Sequence, residues 1–224
     1  DNLIVAAEPF FLWAIEGGDD LKAKLPFDKT DLNVKIVDDI RPFKMIKVRI
    51  LNGAHTAMVP VSLLHGNKLV METVNGDFTG PFVDNVISEI SETLPMDKNE
   101  ITAYAEEVMD RFRNPFIKHA LADIALNSIS KFKVRVLPSL LGYYTTTKKL
   151  PTSLTFSLAC LIQFYKGTWN NEALPVKDTP ELVEAFKKAW ELGNIESVVA
   201  AVLANTDFWD EDLNKVEGLS QALV

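Results

Sequence analysis

Residues 39–58, DIRPFKMIKVRILNGAHTAM, decide the fold class of this chain. Apolar residues recur in this stretch at intervals of three and four, which is the period of one face of an α-helix. They are Ile40, Phe43, Ile46, Ile50, Leu51, Ala54 and Met58. Asp39 is suited to cap the helix, Pro42 is tolerated in its first turn, and Gly53 marks a point at which it could bend. The stretch therefore predicts a long helix with one buried face.

The helical period continues through most of the sequence on the carboxyl side. Helices are predicted over 81–94, 101–112, 114–129, 151–165, 180–190 and 195–203. Asp97 with Glu100 has the spacing of a capping box, and Asn114 before a proline is a second helix start. Residues 10–16, FFLWAIE, predict a short strand, and 143–151, YYTTTKKLP, predict a polar loop. The predicted fold class is therefore mainly α, with many helices and a short N-terminal strand.

The composition limits the partners and the compartment. Lys and Arg number 23 against 31 Asp and Glu, and a net charge of -8 repels a phosphate backbone, which argues against nucleic acid. No apolar run approaches the ~20 residues of a membrane span, and no signal-peptide pattern opens the chain. The lone Cys160 lies in an apolar run and cannot form an internal disulfide. We expect a soluble, cytoplasmic protein without a membrane partner.

No repeat, low-complexity tract or linker of domain size divides the sequence, so residues 1–224 are expected to form one domain. The chain begins at Asp1 and runs straight into an apolar segment, LIVAAEPFFLWAIEG. We therefore expect it to be part of a longer protein.

Three polar residues stand close together in the helical stretch: Lys47, Asn52 and His55. Lys47, Leu51 and His55 follow one another in steps of four, and Asn52 precedes His55 by three, so an α-helix would bring them near one face. A donor, an acceptor and a base together suit carbonyl and carbinol chemistry. The spacing alone also describes a solvated lysine, a helix break at Asn52 and a core histidine, and it favours that structural interpretation.

Metal and nucleotide sites are not indicated. The three histidines, His55, His65 and His119, are scattered and only one cysteine is present, so no zinc spacing exists and we expect no metal. No GxGxxG turn occurs, and Tyr144 with Lys148, spaced like a short-chain dehydrogenase pair, lies in the predicted loop.

Several blocks, in order along the chain, resemble the mannitol dehydrogenase family of long-chain polyol dehydrogenases. They are EPF at 8–10, DDIRPFKMIKVRILNGAHT at 38–56, RFRNPFIKH at 111–119 and SISKF at 128–132. The pattern of Lys, four residues, Asn, two residues and His is similar to the catalytic signature of that family. The runs 111–138, 154–167 and 208–219 look most like its tagaturonate reductase, or altronate oxidoreductase, branch.

The resemblance implies a multi-helix C-terminal domain of the 6-phosphogluconate-dehydrogenase-C-like type. In the complete enzyme, its own N-terminal Rossmann domain, absent here, would precede it and bind NAD, so the chain alone would be inactive. Lys47 would be the general acid/base, and Asn52 and His55 would hold and polarise the substrate oxygen. A lysine that acts as a base near neutral pH needs burial or a nearby cation to lower its pKa from ~10.4.

The resemblance also bears on the substrate, a small sugar acid or polyol. Lys131 matches a position that binds polyol hydroxyls, whereas Asp123 stands where mannitol-specific relatives carry an arginine. A uronate brings a carboxylate that a cation must meet. The candidate cations are Arg111, Arg113, Lys118, His119 and Lys131, although Arg111 and Arg113 could instead brace a helix end. A fructuronate reductase, a mannitol-type dehydrogenase and a non-catalytic helical interaction domain stay open as alternatives.

Overall fold

A computed structural model describes residues 10–224 of this chain, so Glu8 and Pro9 of the EPF block lie outside the described residues. The chain divides into two compact units, of which the first ends at Lys47 and the second is Val48–Val224.

The first unit contains a small parallel sheet. Strand β1, Trp13–Glu16, pairs in parallel with β2, Val34–Val37, and helix α1, Asp19–Lys24, lies between them in sequence. The strand predicted over 10–16 is thus confirmed. The expectation that only helices follow it was wrong, because the branched residues of VKIV favour an extended chain and β1 offers them a partner edge.

The stretch that decides the fold is helical from Arg41 onward, but it is not one α-helix. It forms α2, Arg41–Ile46, then a π-helix, Lys47–Asn52, then α3, Gly53–His65. Asp39 was predicted to cap this helix, but the N-cap residue is Ile40, which makes no side-chain cap; Asp39 lies one residue earlier and accepts a hydrogen bond from the Arg41 amide at 2.8 Å. The irregularity lies just before Gly53, where a bend was predicted, and it takes the form of a wider helical turn.

The second unit is built from helices that follow α3. They are α4 Val70–Asn75, α5 Thr79–Ser91, α6 Lys98–Phe112, α7 Leu121–Ile124, α8 Ser128–Arg135, α9 Leu137–Thr147, α10 Thr152–Phe164, α11 Pro180–Trp190, α12 Ile195–Ala204, α13 Thr206–Trp209 and α14 Leu219–Ala222. A two-residue hairpin, β3 Thr168–Trp169 with β4 Glu172–Ala173, separates α10 from α11. The predicted mainly helical fold is confirmed.

Helix α3 lies at the centre of the second unit and packs on α5, α8 and α10. Its residues Ala54, Ala57 and Met58 are fully buried. A Cβ added to Gly53 would lie 3.2 Å from the Arg135 carbonyl oxygen and 3.3 Å from Ile90 Cδ1, closer than ordinary van der Waals contact. Glycine at this position therefore allows α3 to approach both α5 and α8 closely.

Two predicted segments were wrong in their details. The single helix over 114–129 is instead a turn followed by α7 and α8, and Asn114 caps only that turn, accepting from the Phe116 amide at 3.0 Å. The loop predicted over 143–151 is helical as far as Thr147. Three threonine hydroxyls donate to carbonyls one turn back, at 2.7 to 3.0 Å, so each hydroxyl finds a partner within the helix.

Within residues 10–224, no helix is both long and apolar enough to cross a membrane.

Candidate active site

Asn52 and His55 stand at the start of α3. The Asn52 carbonyl accepts a hydrogen bond from Thr56 Oγ1 at 2.8 Å, which extends the helical hydrogen bonding at the junction with the π-helix. The two side chains are three residues apart and so are neighbours on the helix surface, and both are partly exposed. Among the described residues, the Asn52 side-chain amide makes no hydrogen bond, so it is available to a ligand.

His55 is a neutral imidazole held between two rings. Its ring centre lies 4.3 Å from that of Phe112 and 5.0 Å from that of His119. Burial, followed by electrostatic interaction with His119, Arg111 and Arg135, lowers the pKa of His55 to about 3. Within residues 10–224 its Nε2 is sealed from solvent without a hydrogen-bond partner. Nδ1 is therefore the ring nitrogen through which His55 can reach a ligand without rearrangement.

Lys47 begins the π-helix and its side chain is exposed. The expectation that Lys47, Leu51 and His55 lie on one α-helical face was wrong for the first step. Lys47 is exposed, whereas Leu51 is buried at 7% exposure, so the two side chains do not share a face. Hydrogen bonding to the fifth residue widens the turn and breaks the α-helical period there. Lys47 belongs to the first unit, and Asn52 and His55 belong to the second.

His119 lies close to His55 because the chain before α7 is hydrogen-bonded to the segment before α4. The Val70 amide donates to the His119 carbonyl at 3.0 Å, and the Leu121 amide donates to the Lys68 carbonyl at 2.9 Å. These two bonds form an isolated antiparallel bridge between Leu69 and Ala120. The bridge fixes the backbone of His119 while its side chain stays exposed.

Two cations project from α8. Lys131 Nζ donates to the Ile124 carbonyl at 2.9 Å, at the end of α7, and burial followed by the charge of Arg135 lowers the pKa of Lys131. Arg135 Nη1 donates to Thr56 Oγ1 at 3.3 Å, and burial lowers the pKa of its guanidinium. Helix α8 thus brings a second arginine, besides Arg111, into electrostatic reach of His55.

The other candidate cations lie elsewhere or are engaged. Arg113 is the C-cap residue of α6 and forms an exposed ion pair with Asp110 at 3.8 Å. This agrees with the alternative that Arg113 braces a helix end. Lys118 and Asp123 are exposed. Arg111 lies in the last turn of α6 and is partly exposed.

Sequence reasoning missed Arg135. Arg135 follows Lys131 by four and would share its face in any helix, but the helix predicted from the sequence ended at 129, before both residues. Lys131 is the last candidate cation that the family resemblance supplies, and Arg135 lies beyond it. Which cation of α8 comes close to His55 depends on how α8 crosses α3, and the sequences of the two helices do not predict this crossing.

The described residues do not fit the diphosphate of a nicotinamide dinucleotide. The turn after β1 holds Gly17 and Gly18, but α1 behind it opens with Asp19 and Asp20, which repel phosphate. Among residues 10–224, no three His, Cys, Asp or Glu side chains are grouped to hold a metal ion. What this arrangement can do is bind an anion near a neutral imidazole and a primary amide, both able to hydrogen-bond a substrate oxygen.

Comparisons with known proteins show which proteins this chain is similar to. The family model for the mannitol dehydrogenase C-terminal domain matches residues 39–224. The altronate oxidoreductase of Enterobacter sp. (strain 638) is 43% identical over 98% of this chain and 47% of its own length. That of Escherichia coli O7:K1 (strain IAI39 / ExPEC) is 44% identical with the same coverage. The chain therefore spans about half the length of the curated relatives that it matches.

Two solved structures share the fold. Mannitol 2-dehydrogenase of Pseudomonas fluorescens, in a ternary complex with NAD and D-mannitol, aligns with a TM-score of 0.72 and 22% identity, over 85% of this chain and 38% of that one. D-sorbitol dehydrogenase in its substrate-free form aligns with a TM-score of 0.69 and 17% identity, over 85% and 39%. The expected C-terminal helical domain is confirmed as the fold.

Proposed function

This chain belongs to the family of mannitol dehydrogenase C-terminal domains, and on that premise we propose that it is the substrate domain of an NAD-dependent oxidoreductase that reduces D-tagaturonate to D-altronate. The observation that carries the proposal is the polar cluster at the start of α3. A neutral imidazole and an unengaged amide lie there beside Arg135, a cation that forms no ion pair among the described residues. That setting suits an anionic sugar better than a neutral polyol.

The proposed roles follow from the chemistry of reduction. A ketone that is reduced to an alcohol gains a proton on oxygen, and Lys47 donates that proton from Nζ. In the reverse direction the neutral amine removes it. The Asn52 side-chain amide donates a hydrogen bond to the ketone oxygen of the substrate. His55, which stays neutral near pH 7, hydrogen-bonds the same oxygen through Nδ1. His119, Arg111 and Lys131 line the side that receives the rest of the sugar acid.

Lys47 is exposed in this chain, so the desolvation that a lysine base requires has to come from the remainder of the protein closing over it. We assign that role to an N-terminal Rossmann domain in the other half of the protein, which would also hold NAD. Both units described above then belong to one C-terminal domain, and we expect the Rossmann domain to cover Trp13, which is 52% exposed in this chain. The 224-residue chain alone is expected to show no turnover.

The test uses the full-length protein that contains this chain. We expect NADH-dependent reduction of D-tagaturonate, with D-fructuronate and D-fructose as the competing substrates. Lys47→Ala should lower kcat on the preferred substrate by at least about 100-fold, the scale of a lost general acid. Lys44→Ala, a matched exposed lysine of the same segment, should leave kcat within about 3-fold.

Three results would contradict the proposal. Higher kcat/KM for D-fructuronate would make the protein a fructuronate reductase, and a preference for the neutral ketose would make it a mannitol-type dehydrogenase. Wild-type turnover by Lys47→Ala would support a non-catalytic role for this domain.

A further inference from the structure

Arg135 is a cation without a counterion. It is partly exposed, it lies in the last turn of α8, and burial lowers the pKa of its guanidinium. Within residues 10–224 it takes part in no ion pair, and its one side-chain hydrogen bond is to the Thr56 hydroxyl at 3.3 Å. A partly desolvated charge is unfavourable unless an opposite charge meets it. The guanidinium has five N–H donors, so most of its capacity to bind an anion is unused.

The position of Arg135 links it to the polar residues of α3. Thr56 follows His55 directly, and the same Thr56 hydroxyl that accepts from Arg135 donates to the Asn52 carbonyl at 2.8 Å. The guanidinium therefore lies against the turn of α3 that carries Asn52 and His55. It also lowers the pKa of His55 and of Lys131, which places its charge within reach of both.

The neighbouring cations on the same helix are already engaged. Lys131 Nζ donates to the Ile124 carbonyl at 2.9 Å, and Lys133 Nζ forms an ion pair with Asp210 at 2.8 Å. Both are single ammonium groups, whereas a guanidinium presents a planar fork that matches the two oxygens of a carboxylate. Among the cations of α8, Arg135 is the one whose chemistry and unused donors fit a bidentate anion.

We propose that Arg135 binds the carboxylate of the sugar acid through a two-point ion pair and so sets the preference for uronates over neutral ketoses. This inference rests on the proposed function, since it names the residue that reads the acid group of that substrate. The carboxylate displaces water from the guanidinium while Asn52 and His55 hold the reacting end. Arg135 acts as a binding residue and takes no part in proton transfer.

The experiment compares two substrates that differ in one group. D-Tagaturonate carries a carboxylate where D-tagatose carries a hydroxymethyl group, and both are assayed with NADH and full-length protein. Arg135→Gln should lower kcat/KM for D-tagaturonate by about 100-fold or more, the scale of a lost buried charge pair, and should change that for D-tagatose by less than about 3-fold. Arg135→Lys should fall between, because it keeps the charge and loses the fork. Lys133→Gln, a paired cation on the same helix, should behave as wild type.

Each other outcome overturns the inference. Equal losses on both substrates would make Arg135 a structural residue, and circular dichroism of Arg135→Gln would then show a lowered unfolding temperature. Unchanged kcat/KM for D-tagaturonate would remove the residue from the site and leave the proposed function standing. Failure of the unaltered protein to reduce any uronate would overturn the proposed function and this inference together.

Discussion

Acidification is expected to destabilise the folded chain through His55. Burial and electrostatic interaction with His119, Arg111 and Arg135 lower the pKa of His55 to about 3 in the folded state, whereas a histidine in an unfolded chain has a pKa of ~6.5. Below pH ~6.5 the unfolded chain binds a proton at this position that the folded chain refuses. The free energy of unfolding therefore falls as the pH drops from ~6.5 towards about 3 and is independent of His55 above that window.

The magnitude follows from the two pKa values. At pH ~5.0 the imidazole of the unfolded chain is about 1.5 pH units below its pKa and is protonated, while the folded one stays neutral. At ~1.36 kcal/mol per pH unit, the free energy of unfolding of the wild type therefore falls by about 2 kcal/mol between pH 7.5 and 5.0. In His55→Gln this component is missing. The variant should be less stable at pH 7.5, because it loses the ring contact with Phe112, but its unfolding free energy should drop by about 2 kcal/mol less between the two pH values.

The assay is urea unfolding followed by tryptophan fluorescence, for wild type and variant at pH 7.5 and 5.0. Leu158→Ala, which removes a fully buried side chain that does not titrate, is the matched control and should lower the free energy of unfolding equally at both pH values. Parallel losses of stability in wild type and His55→Gln, within about 0.5 kcal/mol, would refute the reasoning and mean that His55 is protonated in the fold at pH 5.

Two further predictions concern a helix cap and the single thiol. Asp97→Ala removes the carboxylate that accepts hydrogen bonds from the Asn99 and Glu100 amides at 2.9 and 3.3 Å. It should lower the free energy of unfolding by about 1 kcal/mol and the Tm by about 2–4 °C, measured by thermal circular dichroism. No shift in Tm would refute the capping role. Cys160 lies beside an apolar cavity of about 460 Å³, and burial raises the pKa of its thiol to about 12. Its reaction with an aromatic disulfide at pH 8 should therefore be at least about 100-fold slower in the folded chain than in urea. Equal rates would contradict this prediction.

Periodicity and capping residues predicted the helices whose signals are local. Helix α6 begins at the Asp97 cap, and α11 runs over Pro180–Trp190 as its proline and apolar spacing indicate. Helix α10 was also predicted, over 151–165, from its apolar run, but the residue that caps its start lies far away in sequence. The carboxylate of Glu89, on α5, accepts from the Ser153 and Leu154 amides at 2.8 and 2.9 Å. A cap supplied by another helix leaves no mark in the sequence around the helix that it caps.

The candidate site divides in the same way. The spacing of Asn52 and His55 was visible in the sequence because both lie on one short helical segment. The approach of His119 to His55 was not, because it depends on the bridge between Leu69 and Ala120, two residues far apart along the chain. The π-helix was also unforeseen, since no residue type in 47–52 marks the wider turn.

The tight contact at Gly53 has a consequence for the thermodynamics of ligand binding. Because α3 rests directly on the backbone of α8 at Arg135, these two helices have little room to slide against each other. The backbone that carries Asn52, His55 and Arg135 is therefore held in place before any ligand arrives. A ligand that docks against such a preorganised frame loses less conformational entropy than one that must order its own receptor, so more of its contact energy appears as affinity.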